Sequence, residues 1–255
     1  MLPTTPKGSA DGEAEARRCG LQSPDGFYNF EGAQPRTAQA GGTNTYVYGG
    51  TVVDPGPDDE AHLDAIVDAG PVERIALTHR HPDHSAGAGR LSAMTGAPVL
   101  AFGAGLWDGD RLPSGLVAVH TPGHVPGHLC FWHPKTRTLL SGDLIAGSGS
   151  IMVAPPEGDL AAYMASLERI RALVPARILP GHGPEVAEAA AKIEEYVAHR
   201  QDREERVAAA LSLGASSVRD ILDSAYRDVP PPMRPSAALA VRAHLAKLGH
   251  SMPST

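Results

Sequence analysis

The heptapeptide Thr78-His79-Arg80-His81-Pro82-Asp83-His84 holds the densest group of chemically competent side chains in this sequence. It places three histidines and an aspartate within six positions, in a chain with 12 histidines among 255 residues. Neutral imidazole and carboxylate are ligands for Zn²⁺ where no thiolate is available. A solvated histidine-rich loop is the alternative, but residues 73–78 have the pattern of a buried strand that would hold the loop rigidly. The heptapeptide therefore predicts a metal site.

Three later predicted strands also end in turns of glycine or proline that carry a metal-competent residue. His124 follows Thr-Pro-Gly, Asp143 follows Ser-Gly and His182 follows Pro-Gly. Glycine lets the backbone bend sharply beside an ion. Seven ligands exceed the needs of one tetrahedral zinc and suit two ions that share a carboxylate, with Mn²⁺ or Fe as alternatives to Zn²⁺. The seven candidates are His79, His81, Asp83, His84, His124, Asp143 and His182.

Two Zn²⁺ ions predict a hydrolytic reaction, because a hydroxide that bridges them is available near neutral pH. This hydroxide would attack an electrophilic carbonyl or phosphorus, and the metals would stabilise the charge that develops on the substrate oxygen. Asp83 is the candidate for holding or shuttling the proton of the nucleophile. His128 either supports the site or contacts substrate, or it is a buried structural histidine.

Short strands that alternate first with hairpins and later with helices must position these residues, which predicts an α/β architecture of sheets covered by helices. Asp159 is the expected N-cap of a helix over 160–174 with one buried face. We expect residues 1–25 to be disordered, because they are rich in Pro, Gly, Ser and charge. A catalytic domain is expected over 26–184 and a helical module over 185–255, which opens with a long helix at 185–211.

Composition limits the classes of protein and of partner. The net charge of −7 and the pI of about 5.9 argue against general nucleic-acid binding through bulk charge. Cys19 and Cys130 form no C-x-x-C pair, which indicates neither a disulfide framework nor a thiolate zinc site. No long apolar run or hydrophobic signal core is present, so the expected protein is cytoplasmic and does not contact a membrane.

The motifs H-x-H-x-D-H, T-P-G-H, S-G-D and P-G-H-G resemble, in this order, the motif set of the metallo-β-lactamase superfamily over residues 40–184. The resemblance implies a four-layer αββα sandwich. It implies that His79, His81 and His124 hold a first zinc and that Asp83, His84 and His182 hold a second. Asp143 would bridge the two ions. Asp54 matches an early aspartate of the family. It would support the heptapeptide 78–84, the histidine loop, without touching metal.

The C-terminal helices, together with residues 43–46, 155–160 and 163–167, resemble the β-lactamase-like protein 2 group. The helices resemble the winged-helix-like module that follows the hydrolase domain there. Residues 249–255 are too short and too rich in Pro and Ser for a β-hairpin wing, which weakens the case for nucleic-acid contact through a wing. Two interpretations stay open: a module that contacts nucleic acid, or a purely helical module that packs against the catalytic domain or forms a homodimer contact.

Several substrates fit this chemistry. The group resemblance implies a zinc-dependent endoribonuclease on single-stranded RNA, with a basic groove as the RNA site. The alternative is a hydrolase of small-molecule esters, lactones or thioesters, with Ile145, Ile151 and Met152 of loop 144–155 contacting an acyl chain. β-Lactam hydrolysis ranks third. A non-enzymatic protein, in which the metals only stabilise the fold and the helical tail binds a partner, ranks last. The groove residues would include Arg80, Arg90, Lys192, Arg200 and Arg203.

Overall fold

A mixed sheet forms the first of two compact units, Met1–Leu100. The structure is a computed structural model that describes residues 21–22, 25–31 and 42–250. Adjacent strands are antiparallel from β1 to β4, whereas β4, β5 and β6 are parallel. Strand β5, which pairs in parallel on both sides, ends at Ala76, just before the histidine loop. In spatial order the strands are β1 Leu21–Gln22, β2 Tyr28–Glu31, β3 Asn44–Tyr48, β4 Thr51–Val53, β5 Arg74–Ala76 and β6 Val99–Phe102.

Three helices accompany this sheet: α1 Glu60–Asp68, α2 Pro82–Ser85 and α3 Ala88–Thr95. Helix α1 begins after Asp59, whose side chain accepts a hydrogen bond from the His62 backbone N–H. Helix α2 begins at Pro82, which suits a first helical position because no N–H is needed there. This short helix fixes the second half of the histidine loop.

A four-stranded sheet forms the core of the second unit, Ala101–Thr255. Its order is β11 Arg177–Pro180, β10 Thr138–Gly142, β9 Leu129–His133 and β8 Val117–His120. Strands β8 to β10 are antiparallel, and β10 pairs parallel with β11. The parallel register shifts between Leu140 and Gly142, just before Asp143. A strand of two residues, β7 Gly105–Leu106, pairs in parallel with the end of β6.

Helices complete this unit: α4 Leu160–Ala172, α5 Ala189–Ser212, α6 Val218–Ala225 and α7 Arg234–Lys247, with a 3₁₀ turn at Pro231–Met233. Asp159 caps α4 as expected, and its Tyr163, Leu167 and Ile170 side chains are buried in the core. Helices α5 to α7 share a second apolar cluster that includes Ile221 and Val241. Helix α7 also packs against α4, and Ala243 belongs to the main core.

The structure differs from the expected boundaries at two places. Leu21–Gln22 lie in the segment expected to be disordered, but they form β1 because β2 provides backbone hydrogen bonds; residues 1–20 lie outside the described residues. Helix α5 begins at Ala189 rather than 185, because Val186 exchanges backbone hydrogen bonds with Ile178. The compact units divide after Leu100, and the boundary at 184–185 stays a prediction.

Residues 251–255, part of the tail in which no β-hairpin wing is expected, lie outside the described residues. No helix in the described part of the chain is long and apolar enough to cross a membrane.

Candidate functional site

The histidine loop of the first unit follows β5 and runs into α2. His79 and His84 are buried, whereas His81 and Asp83 are half-buried. His79 Nε2 lies 3.0 Å from His81 Nδ1. His84 Nε2 lies 3.7 Å from an Asp83 carboxylate oxygen. The four candidates of this unit thus form two adjacent pairs, which is the grouping that two neighbouring ions would need.

Asp54 supports this loop from the end of β4. Its carboxylate accepts hydrogen bonds from the Thr78 backbone N–H at 2.7 Å and from the Thr78 hydroxyl at 2.6 Å. His84 Nδ1 lies 2.9 Å from the same carboxylate. Because the ionised carboxylate only accepts, His84 carries a proton on Nδ1. The Asp54 contact therefore fixes the ring of a candidate ligand.

Three strand ends of the second unit bring their candidates together around Asp143. One carboxylate oxygen of Asp143, Oδ2, lies 3.6 Å from His124 Nε2. The other, Oδ1, lies 3.3 Å from His182 Nε2. A carboxylate whose two oxygens lie near two different imidazoles is suited to contacting two ions at once.

Further contacts orient these residues. The Met152 carbonyl lies 2.8 Å from His124 Nδ1, so His124 carries its proton on Nδ1 and directs Nε2 towards Asp143. His128 is fully buried, and its Nε2 accepts a hydrogen bond from the Asp143 backbone N–H at 3.1 Å. Its Nδ1 lies 2.9 Å from the Thr121 hydroxyl. His128 therefore holds the backbone of a candidate ligand and is buried away from substrate.

Thr78 and Met152 have roles that the sequence did not indicate: Thr78 binds Asp54, and Met152, expected to contact an acyl chain, instead accepts a hydrogen bond from His124. A threonine directly before the histidine motif was a usable signal, since it sits beside the first histidine. Met152 acts through its carbonyl group, which every residue has, and it lies 28 positions from His124. No sequence pattern marks such a contact.

The apolar surface expected in loop 144–155 is absent from the described structure. Ile145 and Ile151 are 0% and 3% exposed and belong to the main core. Their side chains pack with helix α4 and cannot contact an acyl chain, so this part of the prediction is wrong. Met152 is half-buried.

The expected basic groove stays a prediction, and most of its residues have partners within the protein or are buried. Arg90 lies 3.5 Å from Asp58, and Lys192 lies 2.9 Å from Glu195. Arg203 makes two hydrogen bonds to Asp228, at 2.9 and 2.8 Å. Arg200 is buried, whereas Arg80 is exposed. Four of the five cations are therefore paired or buried, which counts against a groove that binds phosphates.

The donor set fits a first-row metal ion. Both units offer imidazoles and carboxylates that are fixed by other contacts, which suits Zn²⁺, Mn²⁺ or Fe. Cys130 adds no thiolate, because it is fully buried and its burial raises the pKa of the thiol to about 12. Cys130 belongs to the main core, and Cys19 lies outside the described residues.

Comparison with known sequences finds two families along the chain. Residues 38–106 and 105–182 match the Metallo-beta-lactamase superfamily, and residues 217–250 match the Beta-lactamase associated winged helix domain. The Beta-lactamase-like protein 2 homolog of Drosophila melanogaster is 31% identical over 254 residues, with 85% of each chain covered. Thioesterase pkgB of Emericella nidulans is 29% identical, over 74% of this chain and 59% of its own length.

Solved structures show the same fold. A Beta-lactamase domain protein from Burkholderia ambifaria superposes with a TM-score of 0.78 at 23% identity, over 92% of this chain and 88% of its own. TTHA1623, solved in a di-iron-bound form, superposes with a TM-score of 0.54 at 28% identity, over 63% of this chain and 96% of its own. The predicted α/β fold class is thereby confirmed.

Proposed function

This chain belongs to the metallo-β-lactamase superfamily and is a hydrolase of that superfamily, and from this premise we propose that it works with two Zn²⁺ ions. His79, His81 and His124 would hold the first ion, and Asp83, His84 and His182 the second. Asp143 would contact both. The di-iron form of TTHA1623 keeps iron as an alternative metal for this set of donors.

The arrangement of Asp143 is the observation that carries this proposal. Its two oxygens lie 3.6 and 3.3 Å from the Nε2 atoms of His124 and His182. Because each oxygen approaches a different imidazole, Asp143 could contact one ion on each side. The two adjacent pairs in the histidine loop, His79 with His81 and Asp83 with His84, support the same division.

The metals, when bound, supply a water of lowered pKa and a positive charge for the oxygen that becomes negative during hydrolysis. The protein side chains do the rest. Asp54 and the Met152 carbonyl hold two imidazoles in one tautomer and orientation. Asp83, half-buried at the start of α2, is placed to accept a proton and to return it to the leaving group.

We propose a small-molecule ester or thioester as the substrate class. The cations that would bind an RNA backbone are largely paired with carboxylates or buried, and the net charge of −7 opposes a polyanion. Similarity to Thioesterase pkgB supports a carbonyl substrate. The carboxyl ester and thioester share the electrophilic carbonyl that this chemistry requires.

Cleavage of single-stranded RNA is the second candidate, because residues 217–250 match a winged helix domain, a kind of module able to contact nucleic acid. This module would then bring RNA to the hydrolase. The paired arginines argue against tight binding, so we rank this candidate below the first.

A substrate panel tests the proposal. The metal-loaded protein is incubated with an acyl thioester, a p-nitrophenyl ester, an aliphatic lactone, a β-lactam and a fluor-quenched RNA. We expect thioester or ester turnover that falls at least about 100-fold in Asp83→Ala, within the range for loss of a general acid or base. Asp64→Ala, an exposed aspartate of the same unit, is the control and should keep full turnover. RNA cleavage without ester or thioester turnover would reverse the ranking, and turnover unaffected by Asp83→Ala would refute the site.

A further inference from the structure

One loop of the second unit, residues 143–152, contacts every candidate ligand of that unit. Asp143 is its first residue. The Gly147 backbone N–H donates to the His182 carbonyl at 2.8 Å. The Met152 carbonyl accepts from His124 Nδ1 at 2.8 Å. The position of this loop therefore sets the position of all three ligands.

Side chains from α4 and α5 hold the loop from its buried side. The Tyr163 hydroxyl donates to the Leu144 carbonyl at 2.5 Å. The Tyr196 hydroxyl accepts from the Ala146 N–H at 2.9 Å and lies 3.1 Å from the Gly149 carbonyl, to which it donates. Burial raises the pKa of both phenols, that of Tyr196 to about 12, so both stay protonated as donors.

Arg200 of α5 makes the contact nearest to Met152. It donates a hydrogen bond to the Ile151 carbonyl, and its guanidinium lies 5.2 Å from the centroid of the Tyr163 ring. Only 6% of the residue is exposed. Burying a cation is costly, and Arg200 Nε has no hydrogen-bond partner among the described residues. An apolar residue would fill this core position at lower cost, which points to a role beyond stability.

Arg203, one turn further along the same helix, provides a matched comparison. Its guanidinium lies 4.6 Å from the centroid of the Tyr226 ring, and it donates to the Ala225 carbonyl at 2.9 Å. Both guanidinium groups lie over a tyrosine ring and donate to a backbone carbonyl, but Arg203 is also paired with Asp228. Ala225 and Tyr226 belong to the apolar cluster shared by α5, α6 and α7. Arg203 thus stabilises the helical module, whereas Arg200 contacts the loop of the ligands.

We propose that Arg200 is a positioning residue for the metal site. It fixes Ile151 and Met152, so that the Met152 carbonyl holds the proton of His124 on Nδ1 and leaves Nε2 ready to bind metal. This inference rests on the proposed function, because it assigns Arg200 to the same ligand. It also gives α5 a part in building the metal site.

Metal affinity tests the inference. Metal-stripped full-length protein is titrated with Zn²⁺ in competition with a chromophoric chelator, for the wild type, Arg200→Met, Arg200→Lys and Arg203→Met. Loss of a supporting contact typically weakens metal binding 10- to 100-fold, so we expect about 10-fold weaker binding in one of two steps for Arg200→Met. Arg200→Lys keeps a cationic donor and should recover most of this loss. Arg203→Met should bind as the wild type does.

The tautomer of His124 gives a second readout without metal. Long-range ¹H–¹⁵N spectra should place the proton on Nδ1 in the wild type and in Arg203→Met, and show a mixture of tautomers in Arg200→Met. A protein that binds no metal but shows this shift would refute the proposed function and keep the positioning role. Wild-type affinity and an unchanged tautomer in Arg200→Met would overturn the role. If Arg200→Met does not fold, Arg200→Gln, which removes the charge and is too short to keep the contact with the Ile151 carbonyl, replaces it in the same two readouts, with the same expected and overturning results.

Discussion

At the residue scale, Asp54 connects strand β4 to the histidine loop. It is buried, with a backbone φ of 51°, and the loop approaches it through Thr78 and His84. A non-glycine residue in the left-handed region carries backbone strain. Its three polar contacts to Thr78 and His84 offset this strain and hold the loop in one position.

Replacing Asp54 by alanine should therefore destabilise the protein. The change leaves the Thr78 N–H, the Thr78 hydroxyl and the His84 ring without their acceptor, which should cost about 3 kcal/mol in the free energy of unfolding. Denaturant unfolding of metal-free protein measures this cost. Asp58→Ala, at an exposed position four residues later, should change stability by less than about 0.5 kcal/mol. Equal stabilities of the two variants would contradict the role of Asp54.

The seven ligand candidates could be found from sequence because each sits in a local signal, a strand followed by a Gly or Pro turn. Apart from the support from Asp54, which the family resemblance implied, the contacts that orient them could not. Met152 reaches His124 across 28 residues, and the partners of Arg200 and Arg203 come from other elements. The burial of Ile151 likewise depends on where α4 packs. Such contacts depend on how distant segments pack in the tertiary structure, so no periodic pattern in the sequence indicates them.

At the element scale, Gly123 lets the loop after β8 pass close to α4. A Cβ atom on Gly123 would lie 2.3 Å from the Tyr163 Cα, and its φ of +140° disfavours other residues. The Gly123 carbonyl also accepts from the Asp159 N–H at 2.8 Å, next to the start of α4. The next residue is His124, so this close approach places a ligand.

Gly123→Ala should push the loop away from α4. The neighbouring atoms are helix backbone and cannot move aside, so we expect a loss of at least about 2 kcal/mol in the free energy of unfolding. Gly89→Ala is the control: this site in α3 is open, and alanine there should add about 0.5–1 kcal/mol. Thermal and denaturant unfolding compare the two. A Gly123→Ala protein as stable as the wild type would show that the loop does not need this approach.

The helical module should respond to acid through His244 of α7. Burial, and next the positive charge of Arg200, lower the pKa of His244 from 6.5 to about 4. Between pH 6.5 and 4 the unfolded chain binds a proton there that the folded chain does not. The stabilising contribution is therefore complete above pH 6.5 and is lost as the pH falls towards 4.

His244→Gln should flatten this dependence. Measured on metal-free protein, the free energy of unfolding of the wild type should rise with pH between 4 and 6.5 more steeply than that of the variant, by at most about 1.4 kcal/mol per pH unit for one proton. Parallel curves would mean that His244 titrates alike in both states.

At the scale of the whole molecule, the charge favours the small substrate that we propose over RNA. The chain has 29 acidic and 22 basic residues, and several of the cations expected to bind RNA are paired with carboxylates or buried. The superfamily and the α/β fold could be predicted from the motif set, because the ligands are conspicuous residue types at fixed spacing. The substrate could not, because it depends on which side chains remain accessible after folding.

In the proposed mechanism two metal ions, both contacted by Asp143, are required for hydrolysis. The most direct test is to titrate metal-stripped protein with Zn²⁺ while thioester or ester turnover is followed. We predict no turnover without metal and a rise that reaches its plateau at two equivalents per chain. A plateau at one equivalent, or full turnover in the metal-free protein, would contradict the two-metal account.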